Sequence, residues 1–259
     1  NSTLGNLVEL VIAFSALTNG LYEIVLDSIV GGLVTNLLLV LGLAALLGGL
    51  KNQTLPFKAK TALLNSKLLL AVVLVSFVPG MLDHLNQFDS QQSHEQYSII
   101  LSIALLVFYA LSFVFQFSIP KDVISNDSLP NDIVEPDQGK NHNTLLIGPI
   151  LILSISTLAL VFSSEALVDA LSATAQRFNL SAFFTGVFLL PLFGSASEFV
   201  VSLRAAQRNR MDLAVASTVG SSVQIILFVL PVLVLFGAYI GKPLGIFFSP
   251  QAMVAVIVA

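Results

Sequence analysis

The sequence predicts an all-α polytopic membrane protein built on an inverted repeat. Three observations predict it: charge is too sparse for a water-facing surface, apolar residues run in long blocks, and one polar-marked stretch recurs 189 positions later. Only 10% of the 259 residues are charged and 56% are hydrophobic, with a mean hydropathy of +0.91. Soluble domains carry about 25% charged residues, so lipid is the expected solvent. Runs such as 145–153 lack the alternation of a membrane β-barrel.

Eight apolar segments follow in order, at about 3–18, 21–50, 61–80, 96–118, 144–172, 181–203, 212–239 and 244–259. A helix needs about 20 residues to cross the hydrocarbon core, so the inner six are long enough to span. The chain opens at Asn1 inside a motif and stops at Ala259 inside an apolar run, so spans are expected to be missing from both ends. A linker at 119–143, carrying Asp122, Asp127, Asp132, Glu135 and Asp137, divides the first half (1–118) from the second (144–259). It reads as a solvated connection, or as an acidic segment that senses divalent cations.

Lys and Arg set the expected orientation. Lys51, Lys58, Lys60, Lys67, Lys121, Lys140, Arg204, Arg208 and Arg210 fall on one side of the counted spans, and only Arg177 and Lys242 on the other. The linkers at 50–60, 119–143 and 204–211 are therefore expected in the cytoplasm. A net charge of −4 argues against nucleic acid as a partner, and the absence of cysteine excludes disulfides and thiolate metal sites. No nucleophile, nucleotide loop or thiolate cluster is present, so an enzyme is not expected.

The repeat is ungapped over about residues 5–41. Gly5 meets Gly194, Glu9 meets Glu198, Ser28 meets Ser217, Gly31 meets Gly220, and Glu23 meets Asp212. Five spans, an odd number, separate the copies, so the second enters the bilayer from the opposite side. Inverted repeats of this kind place a transport site near the midplane.

The motif itself reads GNLVE at 5–9 and GSASE at 194–198, with Pro191 just before the second copy. A carboxylate inside an apolar span costs about 2.5–3.5 kcal/mol on insertion scales. No Lys or Arg lies at comparable depth, which leaves a proton or a metal cation as partner. Gly5, Gly194 and Pro191 loosen the helix and free carbonyls, while Asn6, Ser195 and Ser197 add neutral oxygens. A hard cation such as Ca²⁺ takes about 6–8 oxygens in flexible geometry, whereas Mg²⁺ demands a tight octahedron. Ser221, Ser222 and Gln224 in GSSVQI, matched to GGLVTN at 31–36, add further oxygens or serve close packing. Glu165, in SSEALVD of the fifth span, is expected to be a third buried acid that carries protons, gates access, or pairs with a neighbouring polar group. Asp27, one turn before Gly31, is expected at an entrance.

The strings LGNLVELVIAFSALTNG, GGLVTNLLLVLGLAALLGG, GVFLLPLFGSASEFVVSL and GSSVQIILFVLPVLVLFG resemble the CAX branch of the calcium/cation antiporters, which are proton-coupled Ca²⁺ exchangers. The resemblance covers essentially the whole chain. It implies an inverted-repeat antiporter fold of eleven spans, of which the third to tenth are here. It also implies that Glu9 and Glu198 bind the cation, helped by backbone oxygens near Gly5 and Gly194 and by Ser221, Ser222 and Gln224. Glu165 matches an acidic position associated with gating or proton transfer. Two departures are visible: the family's second motif usually reads GNxxE followed by His, and this chain has Ser195 and Phe199 there. The implied function is Ca²⁺/H⁺ antiport, with other divalent cations as further cargo, across a bacterial plasma membrane or a vacuolar membrane; the short linker favours the former. The expected partners are Ca²⁺, H⁺ and lipid, with no cofactor. Na⁺/Ca²⁺ exchange is the alternative, ahead of a cation channel or a Ca²⁺-sensing scaffold.

Overall fold

The computed structural model describes residues 6–84, 91–118 and 147–259. The linker at 119–143 and Gly5 lie outside them. Every regular element among the described residues is helical. In chain order these are α1 (Leu7–Thr18), α2 (Tyr22–Lys51), α3 (Ala59–His84), α4 (Gln91–Ser118), α5 (Ile147–Phe178), α6 (Ala182–Gly194), α7 (Ala196–Gln207), α8 (Met211–Tyr239) and α9 (Pro250–Val258).

Five helices are long and apolar enough to cross a membrane, and six if α6 and α7, bent by 60° at their junction, count as one broken span. The segment expected at 244–259 is only partly helical. Leu244, Ile246 and Phe248 are buried in an extended stretch that α9 follows. Ser98 Oγ on α4 accepts from the Ile246 N–H at 3.0 Å, and the Ser249 hydroxyl accepts from the Ala252 N–H at the start of α9. Polar backbone groups in apolar surroundings need such partners. The outward faces of α3, α4 and α5 carry Leu64, Leu74, Ile100, Leu111, Ile152 and Phe162, whereas Asn6, Glu9, Asn36, Glu198 and Ser221 are buried. Polar groups inside and apolar groups outside suit a protein dissolved in lipid.

The backbone repeats with the offset read from the sequence. Shifting Leu7–Thr18 by 189 gives Ala196–Gln207, the bounds of α7, and shifting Tyr22 gives Met211, the start of α8. Both α1 and α7 end in a left-handed residue, Gly20 at φ 75° and its counterpart Asn209 at φ 59°, a conformation that Gly and Asn adopt at low cost. A widened π-helical segment, Thr35–Val40 in α2, recurs at Ile225–Val229 in α8. In α8 it precedes Pro231, as a third one, Thr185–Leu189, precedes Pro191 in α6. Widening relieves the clash of a proline ring with the preceding turn. In α2 the matched residue is Gly42, so the wide turn persists there without a proline.

The ends of the helices establish the inversion. At the end of α1, Leu17 packs on Gly237 of α8, and Lys242 Nζ donates to the Thr18 carbonyl. At the end of α7, Ala206 packs on Gly48 of α2, and Asn52 Nδ2 donates to the Ala206 carbonyl at 3.4 Å. Thus α1 ends on the face where α2 begins, and α7 ends on the face where α2 ends. The two short helices point to opposite faces. The linkers at 50–60 and 204–211 share a face, as the span count requires.

Candidate metal centre

The N-terminal ends of α1 and α7 meet, and each carries its glutamate in the first turn. Glu9 is 9% exposed and Glu198 5%. A Cβ on Gly194 would lie 3.1 Å from Glu9 Cγ, so the second motif's glycine lets the first motif's carboxylate approach its backbone. Helix N-termini present unpaired N–H groups and a partial positive charge, which favours an acid there. Asn6 and Ser195 occupy the N-cap positions, yet neither side chain caps its own helix.

Asn6 reaches across to α8 instead. Its amide nitrogen donates to Gln224 Oε1 at 3.0 Å and to the Ser221 carbonyl at 3.3 Å, while Ser221 Oγ donates to Asn6 Oδ1 at 2.5 Å. Asn36 of α2 extends the network, its amide nitrogen donating to Ser221 Oγ at 3.2 Å. These contacts tie α1, α8 and α2 together, and the hydrogen bonds offset part of the cost of placing polar groups in an apolar core. Ser197 Oγ donates to Glu198 Oε2 at 2.7 Å. By contrast, both carboxyl oxygens of Glu9, Ser195 Oγ and Asn36 Oδ1 are buried with no hydrogen-bond partner among the described residues. Three of these oxygens, two of Glu9 and one of Ser195, lie where two positive helix ends meet and are placed to take a cation or, at a carboxylate, a proton.

Two spaces adjoin this cluster. A cavity of about 10 Å³ touches Glu9, Ser28, Gly32, Pro191 and Gly194. On the other side a cleft of about 500 Å³ between the described residues reaches Glu198, Asn6, Ser221 and Gln224, and its walls include Ala216, Ser217 and Gly220.

Among the sequence candidates, Asn6, Glu9, Gly194, Ser195, Glu198, Ser221 and Gln224 come together. Ser222 does not join: it lies one position around the helix, and its hydroxyl donates to the Thr218 carbonyl at 2.9 Å. Glu165 is not a buried acid. It lies exposed on α5, whose inward stripe is Ser164, Val168 and Leu171; that i, i+4, i+7 spacing leaves residue 165 on the outer side. Asn36 was absent from the candidates, because its repeat counterpart is the apolar Ile225 and a search for matched polar pairs passes over it.

The chain has relatives among known proteins. Residues 1–118 and 148–259 match the family described as sodium/calcium exchanger protein. A Ca(2+)/H(+) antiporter of Aphanothece halophytica is 34% identical, covering 100% of this chain and 71% of that protein. The Ca(2+)/H(+) antiporter ChaA of Bacillus subtilis is 32% identical, covering 100% and 72%. A vacuolar calcium ion transporter of Schizosaccharomyces pombe is 30% identical, covering 100% and 62%. The solved structure of native YfkE superposes with a TM-score of 0.80 at 31% identity, over 100% of this chain and 72% of that one.

Proposed function

This chain belongs to the sodium/calcium exchanger protein family, and on that premise we propose that it exchanges Ca²⁺ for H⁺ across a membrane by alternating access to one shared site. The observation that carries the reading is the Glu9 carboxylate. It is buried at the convergence of two inverted repeats, facing Glu198, with neither oxygen partnered among the described residues. Ionised, the pair neutralises a divalent cation. Protonated, it is neutral and can reorient empty. Proton and metal compete for the same oxygens, so movement of one is coupled to the other without a nucleotide or cofactor, and the protein acts as a transporter rather than an enzyme. Asn6, Ser195, Ser221 and Gln224 surround the pair with neutral oxygens, and Asn36 fixes Ser221 in place. Backbone oxygens near Gly5 and Gly194 complete the proposed ligand set.

The test is uptake of labelled Ca²⁺ into vesicles carrying the full-length protein, driven by an imposed pH gradient. Uptake that collapses with a protonophore supports the reading. Uptake that ignores the pH gradient and follows a Na⁺ gradient would sink it in favour of Na⁺/Ca²⁺ exchange. Glu165, outside the cluster, is assigned to gating or proton transfer. Glu165→Gln is therefore expected to change the uptake rate while Ca²⁺ affinity, read by calorimetry, stays within about twofold, because Glu165 lies on the outward side of α5 and is not among the residues gathered around Glu9 and Glu198.

A further inference from the structure

Asp27 lies on α2, is 8% exposed, and makes no hydrogen bond or ion pair with any described residue. Its oxygens are not among the fully buried unpartnered atoms, and a carboxylate on an otherwise buried stretch of an apolar span is costly unless an ion, a proton or water reaches it. Its surroundings show what it is placed to do. Its Cβ packs on α6: a Cβ on Gly186 would lie 2.5 Å from Asp27 Cβ and 3.0 Å from the Ile24 carbonyl oxygen. One turn outward along the same stripe is Glu23, exposed in the first turn of α2. One turn inward is Gly31, packed on Val187 and Pro191 of α6. The adjacent Ser28, with Gly32, lines the cavity that touches Glu9. Glu23 and Asp27 thus lie on one stripe of α2 that runs from the face where α2 begins toward Gly31, beside the residues that border the cavity at Glu9.

The repeat supplies an independent reading of the same position. The counterpart of Asp27 is Ala216, and Ala216, Ser217 and Gly220 lie in the wall of the cleft that ends at Glu198. The positions matched to 27, 28 and 31 therefore line an approach to the site in the second copy. By the inversion, 27, 28 and 31 line the approach from the opposite face, and there alone the wall carries a buried acid.

We propose that Asp27 captures the divalent cation on the route from the α2 N-terminal face, holding it with Glu23 and the Ile24 carbonyl before or after it occupies Glu9 and Glu198. This rests on the transport reading above. Hard oxygen ligands on one helical stripe suit Ca²⁺ and need no fixed geometry. The two approaches are chemically unequal: one offers Asp27 above its outer acid Glu23, the other Ala216 above Asp212.

The experiment uses the full-length protein in liposomes with Ca²⁺ presented to one face at a time. Asp27→Asn is expected to raise the half-saturating Ca²⁺ concentration at the α2 N-terminal face by about tenfold, the low end of the range over which a charged cleft concentrates its counter-ion. The value at the other face should hold within about twofold. Ala216→Asp is expected to lower the half-saturating concentration at that other face. Equal shifts at both faces, or none, would overturn the proposal. A second readout separates this proposal from the transport reading: labelling of Asp27 by a hydrophobic carbodiimide, followed by mass spectrometry, with and without Ca²⁺. Protection by Ca²⁺ that persists in Glu9→Gln supports capture at Asp27 even in a protein that carries no flux. Flux without any protection removes Asp27 from the route and leaves the central site standing.

Discussion

Glu9→Gln is expected to weaken Ca²⁺ binding by about a hundredfold or more and to abolish pH-driven uptake. The carboxylate is one of two anions facing the cation, and removing one member of a buried, mutually compensated set of charges costs about 3–5 kcal/mol, against 1.4 kcal/mol for each tenfold in affinity. Fold stability should move the other way. Both Glu9 oxygens are buried without partners among the described residues, so the amide replaces a group that is expensive when the site is empty. The metal-free variant should melt at the wild-type temperature or above it, while the rise in melting temperature that Ca²⁺ gives the wild type disappears. Lower stability of the metal-free variant would mean that Glu9 has a structural partner, and the site assignment would fail. Glu198→Gln should behave alike, with a smaller gain in metal-free stability because Glu198 already accepts from Ser197.

Gly31→Ala is expected to be the most disruptive small substitution in α2. Its methyl would lie 2.5 Å from Pro191 Cγ and 2.7 Å from Val187 Cα, and against the Val187 carbonyl oxygen. Backbone atoms cannot rotate away, so α6 must shift, and overpacking of this kind costs about 1–3 kcal/mol. Gly49→Ala in the same helix meets nothing within 4 Å and should be neutral or stabilising by up to about 1 kcal/mol, since Ala is the better helix former. The comparison is made on thermal unfolding in detergent. Equal effects at the two positions would show that α2 and α6 are not packed as closely as described. A shift of α6 also carries Pro191 and Gly194 away from Glu9, so Gly31→Ala should weaken Ca²⁺ binding without touching a ligand.

Much of this arrangement is legible in the sequence because a gapless repeat constrains more than composition does. The offset that aligns Glu9 with Glu198 also aligns helix starts, a left-handed turn residue and a widened turn, none of which has a conspicuous sequence mark of its own. Its inversion follows from counting spans, a matter of hydropathy alone. Which way a side chain faces is less legible. Hydropathy gives depth, so Glu165 reads as intramembrane, but its phase on α5 is set by Val168 and Leu171, and they turn it outward. Ser221 and Ser222 are indistinguishable by composition and differ by one step around α8; only the first meets Asn6. Asn36 was hidden by the repeat that revealed the rest, because its value comes from a contact with Ser221 and not from a twin in the other half.

A backbone that matches itself on inversion has a further consequence for energetics. If the halves exchange roles when the protein turns from one face to the other, most main-chain and packing contributions cancel between the two end states, because each half provides in one what its twin provides in the other. The end states are then close to degenerate, and neither is a deep trap. What remains to set their ratio is the set of side chains that differ between the copies, among them Asp27 against Ala216, Gly42 against Pro231, Asn6 against Ser195 and Asn36 against Ile225. A bias of a few kcal/mol decides which state dominates at rest, so a handful of substitutions at these unmatched pairs, with no change of fold, would suffice to reset the resting orientation.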